Sequence, residues 1–245
     1  MINISIILKQ INKGIIRCFY PYHCILCDDK TYRELDLCLE CEKFLPWLRN
    51  VCIYCAAPLV FPTPSACGVC LKKPLLFHKL CVCFSYTEII RKLVTGLKFQ
   101  QQLIYAHILG SLLAKKVSSQ YQSKKLPDII IPVPLHKKRL YERGFNQAIE
   151  LARPISKKLN IPIEYKRCKR VVNTAAQSKL PANQRSNNVK NAFIAHQDLA
   201  YLHIALLDDV MTTGHTLTEM SRALYYVGVK RIDVWCCART YLGGN

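Results

Sequence analysis

Several features are missing from this sequence, and each absence excludes something. No apolar run reaches the roughly 18 residues that a membrane-spanning helix requires, although 51% of the 245 residues are hydrophobic. The first residues lack the pattern of a secretory signal, in which positive charge precedes an apolar run and small residues mark a cleavage site. Met1 to Leu8 is Ile-rich, but Lys9, Gln10, Asn12 and Lys13 break the run. An amphipathic helix packed on the protein is expected there, with a membrane surface as the alternative. No low-complexity tract or long internal repeat is present. Acidic residues are scarce, 16 against 35 Lys and Arg, which leaves a net charge of +19. Such a balance suits a nucleic-acid or polyphosphate partner, and equally plain solubility. No tail carries the charge. It is scattered through Lys72-Lys73, Lys115-Lys116, Lys124-Lys125, Lys137-Lys138-Arg139, Lys157-Lys158, Lys166-Arg167 and Lys169-Arg170, so any basic face must be assembled by folding.

What is abundant is cysteine, with 14 residues. Eight fall in four C-x-x-C pairs: Cys24/Cys27, Cys38/Cys41, Cys52/Cys55 and Cys67/Cys70. One such knuckle presents two sulfurs to a tetrahedral ion, and two knuckles close a site. The expectation is two structural zinc ions in a reducing compartment, the cytoplasm, rather than a disulfide scaffold. With both ions bound the net charge would fall to about +15. The sequence does not fix the pairing. Loop length favours tandem sites, first knuckle with second and third with fourth, and the interleaved arrangement stays open. A closed four-cysteine site has no position for substrate, so these ions are assigned to folding. His23 and His78 flank the region and read as surface or packed side chains. Cys81, Cys83, Cys168, Cys236 and Cys237 lie in or beside apolar runs and read as small buried hydrophobes. Cys18 has no assignment.

Composition shifts near residue 80. Before it lie the cysteine pairs and Pro46, Pro58, Pro62, Pro64 and Pro74. After it, strand-like and helix-like segments alternate. The chain therefore divides into an N-terminal helix with a double zinc-ribbon domain over 1–79 and an α/β domain over 80–245. Strands are expected at 80–86, 129–133, 204–207 and 232–238. Helices are expected at 88–99, 105–117, 146–159 and 214–227 from apolar spacing. Pro154 should kink or split the third of these helices.

The most informative stretch is Leu207-Asp208-Asp209-Val210-Met211-Thr212-Thr213-Gly214-His215-Thr216. An apolar strand ends in two carboxylates, Val210 to Gly214 reads as a turn, and a helix starts near His215. Amides of the turn and of the helix N-terminus would converge where the helix dipole favours an anion. Thr212, Thr213 and Thr216 add hydroxyl donors, and Gly214 allows close approach of the backbone. A phosphate monoester fits that cradle. The adjacent acids cannot also face phosphate, so they suit hydroxyls of an attached ribose, directly or through the waters of a magnesium ion. An ordinary capped turn would need only one Ser or Thr.

This segment resembles the ribose-phosphate loop of type I phosphoribosyltransferases. By that resemblance Asp208 and Asp209 meet the ribose hydroxyls and hold magnesium indirectly. Thr212, Thr213, Gly214, His215 and Thr216 cradle the 5-phosphate of phosphoribosyl pyrophosphate. The implied fold is a mostly parallel sheet flanked by helices. The string from Pro132-Val133-Pro134-Leu135-His136 through Arg139 to Arg143-Gly144-Phe145-Asn146-Gln147-Ala148 resembles the ComF-type competence family. So do Leu97-Lys98-Phe99, Gln177, Arg185, Asn188, Phe193 and the preceding cysteine knuckles. The likeness runs from about Cys24 to Arg239. It implies a role in natural transformation and the handling of imported single-stranded DNA.

The basic segment after Pro134 carries His136, Lys137, Lys138, Arg139 and Arg143, and it reads as a loop. In the resembled fold pyrophosphate sits there, and Arg139 and Arg143 are the candidate ligands. The polar stretch 174–188 resembles the loop that closes over the site, with Gln177 and Arg185 as candidate facing residues. No general base is named. Asp208 and Asp209 are expected to bind rather than to move protons. Three functions follow: a phosphoribosyltransferase of unnamed acceptor acting in DNA uptake beside other uptake proteins, a non-catalytic single-stranded DNA-binding protein on a degenerate transferase fold, or a base-salvage transferase.

Overall fold

The computed structural model describes residues 22–59, 66–72, 74–122, 124–173, 191–200 and 202–240. Compactness divides the chain after Leu45 into two units. The N-terminal helix expectation, Cys18, Gln177, Arg185 and Asn188 lie outside the described residues.

The first unit pairs two short strands, β1 (Tyr22–His23) and β2 (Lys30–Thr31), antiparallel, followed by helix α1 (Leu39–Phe44). Cys38 caps that helix by accepting from the Cys41 amide. Leu35 and Leu37 are the buried apolar residues just before it. Arg33 pairs with the buried Glu42.

The second unit is built on four parallel strands: β3 (Lys79–Ser85), β4 (Ile129–Pro132), β7 (His203–Met211) and β8 (Arg231–Arg239), in the order β3-β8-β7-β4. They are short apolar runs buried on both faces, as parallel strands must be. Alternate side chains serve opposite layers. Leu80, Val82, Ile131, Leu206 and Val234 join a core with Leu217, Met220 and Leu224 of α7 (His215–Tyr226). The other face is covered by α4 (Leu103–Gln120) and α6 (Gln147–Leu159). Helices α2 (Gly68–Lys72) and α3 (Glu88–Gln100) precede α4, and a small antiparallel ribbon joins β5 (Cys168–Arg170) to β6 (Phe193–Ala195).

Helix α6 runs unbroken through Pro154. The expected split does not occur, and the packing shows how the proline is held. A Cβ on Gly110 of α4 would lie 2.5 Å from both Pro154 Cγ and the Leu151 carbonyl oxygen. The bare glycine lets the two helices close on the proline turn.

The second cysteine ribbon belongs to the same compact unit as the sheet, although composition divides the chain at residue 80. Leu48 and Ala56 lie in the core under β3 and β8. The chain also runs antiparallel beside β3, where the Leu48 amide donates to Cys83 O (2.7 Å) and the Ser85 amide to Pro46 O (2.9 Å). The Trp47 and Phe84 rings pack at a tilt of 51° with their centres 4.5 Å apart.

Candidate functional site

The eight knuckle cysteines gather into two groups, Cys24/Cys27/Cys38/Cys41 and Cys52/Cys55/Cys67/Cys70, each with all sulfurs within 4.8 Å of one another. The pairing is therefore tandem. Cys27 Sγ and Cys38 Sγ lie 3.8 Å apart, and Cys55 Sγ and Cys67 Sγ 3.6 Å apart. Backbone amides already donate to two of the sulfurs, Cys41 N to Cys38 (3.3 Å) and Cys67 N to Cys52 (3.2 Å), as thiolate ligands require. Two tetrahedral sets of four sulfurs fit two structural zinc ions. His78 Nδ1 faces the Tyr225 hydroxyl (3.2 Å) and the Ile232 amide (3.4 Å), so it belongs to the packing. Cys81, Cys83, Cys168, Cys236 and Cys237 are buried. Burial pushes the Cys81 thiol up to about 12, which removes it from nucleophilic chemistry at neutral pH.

A cavity of about 860 Å3 opens at the carboxyl ends of the parallel strands, where open α/β sheets bind ligands. Strand β7 delivers Asp208 and Asp209 to its floor. The strand continues to Met211, with Asp208 opposite Cys236 and Met211 opposite Arg239. The expected turn at Val210 is therefore delayed to residues 212–214, because pairing with β8 outweighs the local polarity of the acids. Gly214 then takes φ +81° and starts α7. That left-handed backbone is the position's reason for glycine. Thr212, Gly214 and Thr216 line the cavity. Thr213 and His215 are not among the lining residues. The Thr213 hydroxyl is buried without a hydrogen-bond partner.

The segment expected as a basic loop is a helix, α5 (Lys137–Arg143). His136 caps it by accepting from the Lys138 amide, and Gly144 ends it at φ +80°. Its sequence has no apolar periodicity to announce a helix, so the caps carry the signal. The helix brings Arg139 and Arg143 to the wall of the cavity that the acids also line. The string after it has a clear task. Asn146 Nδ2 donates to Val133 O (3.1 Å) while Asn146 Oδ1 accepts from the Ala148 amide (2.9 Å), pinning α6 to the end of β4. Gln147 accepts a hydrogen bond from Arg143.

Besides Arg139 and Arg143, the cavity is lined by three cations among the described residues that the charge pattern alone did not single out: Arg91, Lys98 and Arg170. Lys98, near the end of α3, forms an ion pair with Asp209. Arg170, on β5, lines the cavity with only 8% exposure. Burial lowers its pKa to about 10, Arg139 nearby acts in the same direction, and Asp208 opposes both. For Lys98 the signal was the Leu97-Lys98-Phe99 string. For Arg170 it was only one charge pair among many.

The acid pair is electrostatically split. Burial, and then the neighbouring Asp209, push Asp208 up to about 8. Burial acts on Asp209 in the same direction, but the Lys98 ammonium outweighs it and holds that carboxyl low. Near neutral pH the pair therefore holds one proton and one countered charge. Asp208 Oδ1 also accepts from the Asp209 amide (2.9 Å). Magnesium, which the phosphoribosyltransferase resemblance implies, does not fit these carboxylates as a resident ion. Asp209 is engaged by Lys98 and Asp208 is pushed towards its neutral form, so neither offers a free charged ligand to a hard cation.

Residues 15–84 match the double zinc ribbon domain family. The chain is 36% identical over 227 residues to Competence protein F of Haemophilus influenzae, which covers 90% of this chain and 98% of the relative. The chain belongs to the competence protein F (ComF) family. DNA utilization protein YhgH of Salmonella typhimurium is 35% identical over 206 residues, 83% of this chain and 90% of the relative. Competence protein ComFC of Bacillus subtilis is 26% identical over 224 residues, 84% and 89% of the two chains. Among solved structures, a purine phosphoribosyltransferase from Pyrococcus horikoshii aligns with 54% of this chain and 80% of its own, at 19% identity and TM-score 0.32. A glutamine phosphoribosylpyrophosphate amidotransferase from B. subtilis aligns with 54% of this chain and 25% of its own, at 17% identity and TM-score 0.36. These structural likenesses are distant. Among the described residues no helix is long and apolar enough to cross a membrane.

Proposed function

We propose that this ComF-family protein binds phosphoribosyl pyrophosphate in the cavity at the carboxyl edge of its sheet, in the cytoplasm, during DNA uptake. The observation that carries the reading is what gathers inside one cavity. The acid pair with Thr212, Gly214 and Thr216, and the cations Arg139 and Arg143, line the same cavity. Asp208 and Asp209 would hold the ribose hydroxyls, a protonated Asp208 donating and an ionised Asp209 accepting. The turn amides and the Thr212 and Thr216 hydroxyls would take the 5-phosphate. Arg139 and Arg143 would take the pyrophosphate. Were a group transfer to follow, the same arginines would offset the charge that grows on departing pyrophosphate. The acceptor is unnamed, and Gln177 and Arg185, outside the described residues, are kept as candidates for contact with the ligand.

Competition measures the reading directly. Ribose 5-phosphate and pyrophosphate should each displace labelled phosphoribosyl pyrophosphate, because each fills one half of the cavity. Failure of both to displace it would defeat the assignment of the two halves.

A second reading has its own observation. Phe99 is 71% exposed, lines the cavity and has the Arg143 guanidinium 5.5 Å from its ring centre. Such a platform suits stacking of an unpaired base at the mouth of the site, consistent with single-stranded DNA as partner. Salt-sensitive binding of a short single strand, weakened in Phe99→Ala, is the expected result. Equal binding by the variant would remove Phe99 from this reading.

A further inference from the structure

Binding a polyanion beside two adjacent carboxylates poses an electrostatic problem. Unless their charge is countered, the acids repel the phosphates that the rest of the cavity attracts. A divalent ion is one solution, and the carboxylates here do not fit a resident one. The chain offers another. Helix α3 ends over the strand edge and places Lys98 against Asp209, an ion pair whose two side chains are 23% and 6% exposed. At that burial the pair is weakly screened by salt, so Lys98 acts as a fixed charge rather than a mobile surface group. Lys98 also faces Asp208 electrostatically, and Arg143 faces Asp209. No other lysine lines the cavity among the described residues.

The geometry points to Lys98 as a built-in counter-cation for the acid pair, by which the site accepts a phosphorylated ribose without a divalent metal at the carboxylates. The inference rests on the phosphoribosyl reading of the cavity and deepens it. Lys98 is a positioning residue. It holds Asp209 in one rotamer and cancels its charge, so that a ribose hydroxyl can donate to the carboxylate while the phosphates approach. The ion pair is built from a helix far from Asp209 in sequence, so it is a feature of the fold rather than a local accident of the loop.

The experiment is calorimetric titration of the zinc-loaded protein with phosphoribosyl pyrophosphate, with and without magnesium. Magnesium is removed by passing buffers and ligand over chelating resin, because a soluble chelator would strip the cysteine sites. Wild-type affinity is expected to change by less than about threefold between the two conditions. Lys98→Met should weaken binding by about tenfold or more without magnesium, with most of the loss restored when magnesium is added. Lys98→Arg should keep the wild-type pattern. Wild-type binding that requires magnesium would overturn the role of Lys98 and leave the phosphoribosyl reading standing. Wild-type binding in neither condition would overturn both. A Lys98→Met protein that fails to fold, seen by thermal unfolding, leaves the wild-type comparison decisive on its own.

Discussion

The two edges of the parallel sheet each bury carboxylates, and they treat them in opposite ways. At the amino edge Asp233 of β8 is fully buried and fully engaged. The Tyr121 hydroxyl donates to it at 2.6 Å, His203 Nε2 lies at 2.8 Å, and Arg231 Nε approaches at 3.3 Å. Burial alone would push its carboxyl up, but His203, Tyr121 and Arg231 outweigh burial and hold it low. At the carboxyl edge Asp208 has one backbone partner, an acid for a neighbour and a cavity in front of it, and it is pushed up to about 8. The same strands thus carry a closed network at one edge and, at the other, acids that border a cavity and keep hydrogen-bonding capacity to spare. A closed network holds a fold together, and spare capacity facing a cavity is available to a ligand.

The largest expected effect separates the edges. Asp233→Ala should destabilise the protein by about 3–5 kcal/mol, since it strands Tyr121, His203 and Arg231 around a missing partner. Thermal unfolding would show it, and phosphoribosyl pyrophosphate binding by the remaining folded protein should be unchanged. The mirror experiment is Asp208→Asn with Asp209→Asn. It should weaken ligand binding by about a hundredfold, chiefly through loss of the charge-assisted hydrogen bond to ionised Asp209. The melting temperature should fall by less than in Asp233→Ala, because relief of the crowded Asp208 offsets the loss of the Lys98–Asp209 pair. A loss of stability in the second variant as large as in the first would erase the distinction between the edges.

Smaller effects sharpen the comparison. Arg143→Ala and Arg139→Ala should each weaken binding by about tenfold. If both variants keep wild-type affinity in calorimetry, the pyrophosphate half of the site is misassigned. The pH dependence should run in opposite senses at the two edges. Asp208 titrates higher in the folded chain than in the unfolded one, so its contribution is present at low pH and is lost as pH rises towards about 8. Asp233 is held low, so its contribution is present above the ordinary carboxylate range and is lost as pH falls through it. In denaturant titrations across pH, Asp208→Asn should flatten the decline that runs from the ordinary carboxylate range up to about 8, and Asp233→Asn the acid limb. Unchanged limbs would contradict the assigned shifts.

How much of the fold and the site is legible in the sequence depends on how local the signal is. The acids and the phosphate turn stand together in one string, so their juxtaposition is readable from residue order alone. The four cysteine knuckles are readable for the same reason, and tandem pairing follows loop length. Lys98 and Arg170 reach the acids only through tertiary folding, and a lysine in a chain with 35 Lys and Arg has no mark of its own. Helix α5 reads as a loop because Lys137 to Arg143 is nearly all charged, and its identity lies in the His136 cap and the Gly144 stop. Strand β7 outruns its expected end because pairing with β8 carries polar residues through to Met211. Composition places a boundary at residue 80. It does not reveal that Leu48 and Ala56, from the cysteine-rich part, complete the core beneath the sheet.

The most direct test of the central claim is one paired titration. Zinc-loaded wild-type protein and the Asp208→Asn/Asp209→Asn variant are titrated with phosphoribosyl pyrophosphate in a calorimeter, after thermal unfolding has shown both to be folded. The expected result is one site per chain in the wild type and no measurable heat in the variant. A folded wild type that binds nothing, or a variant that binds equally well, would contradict the account.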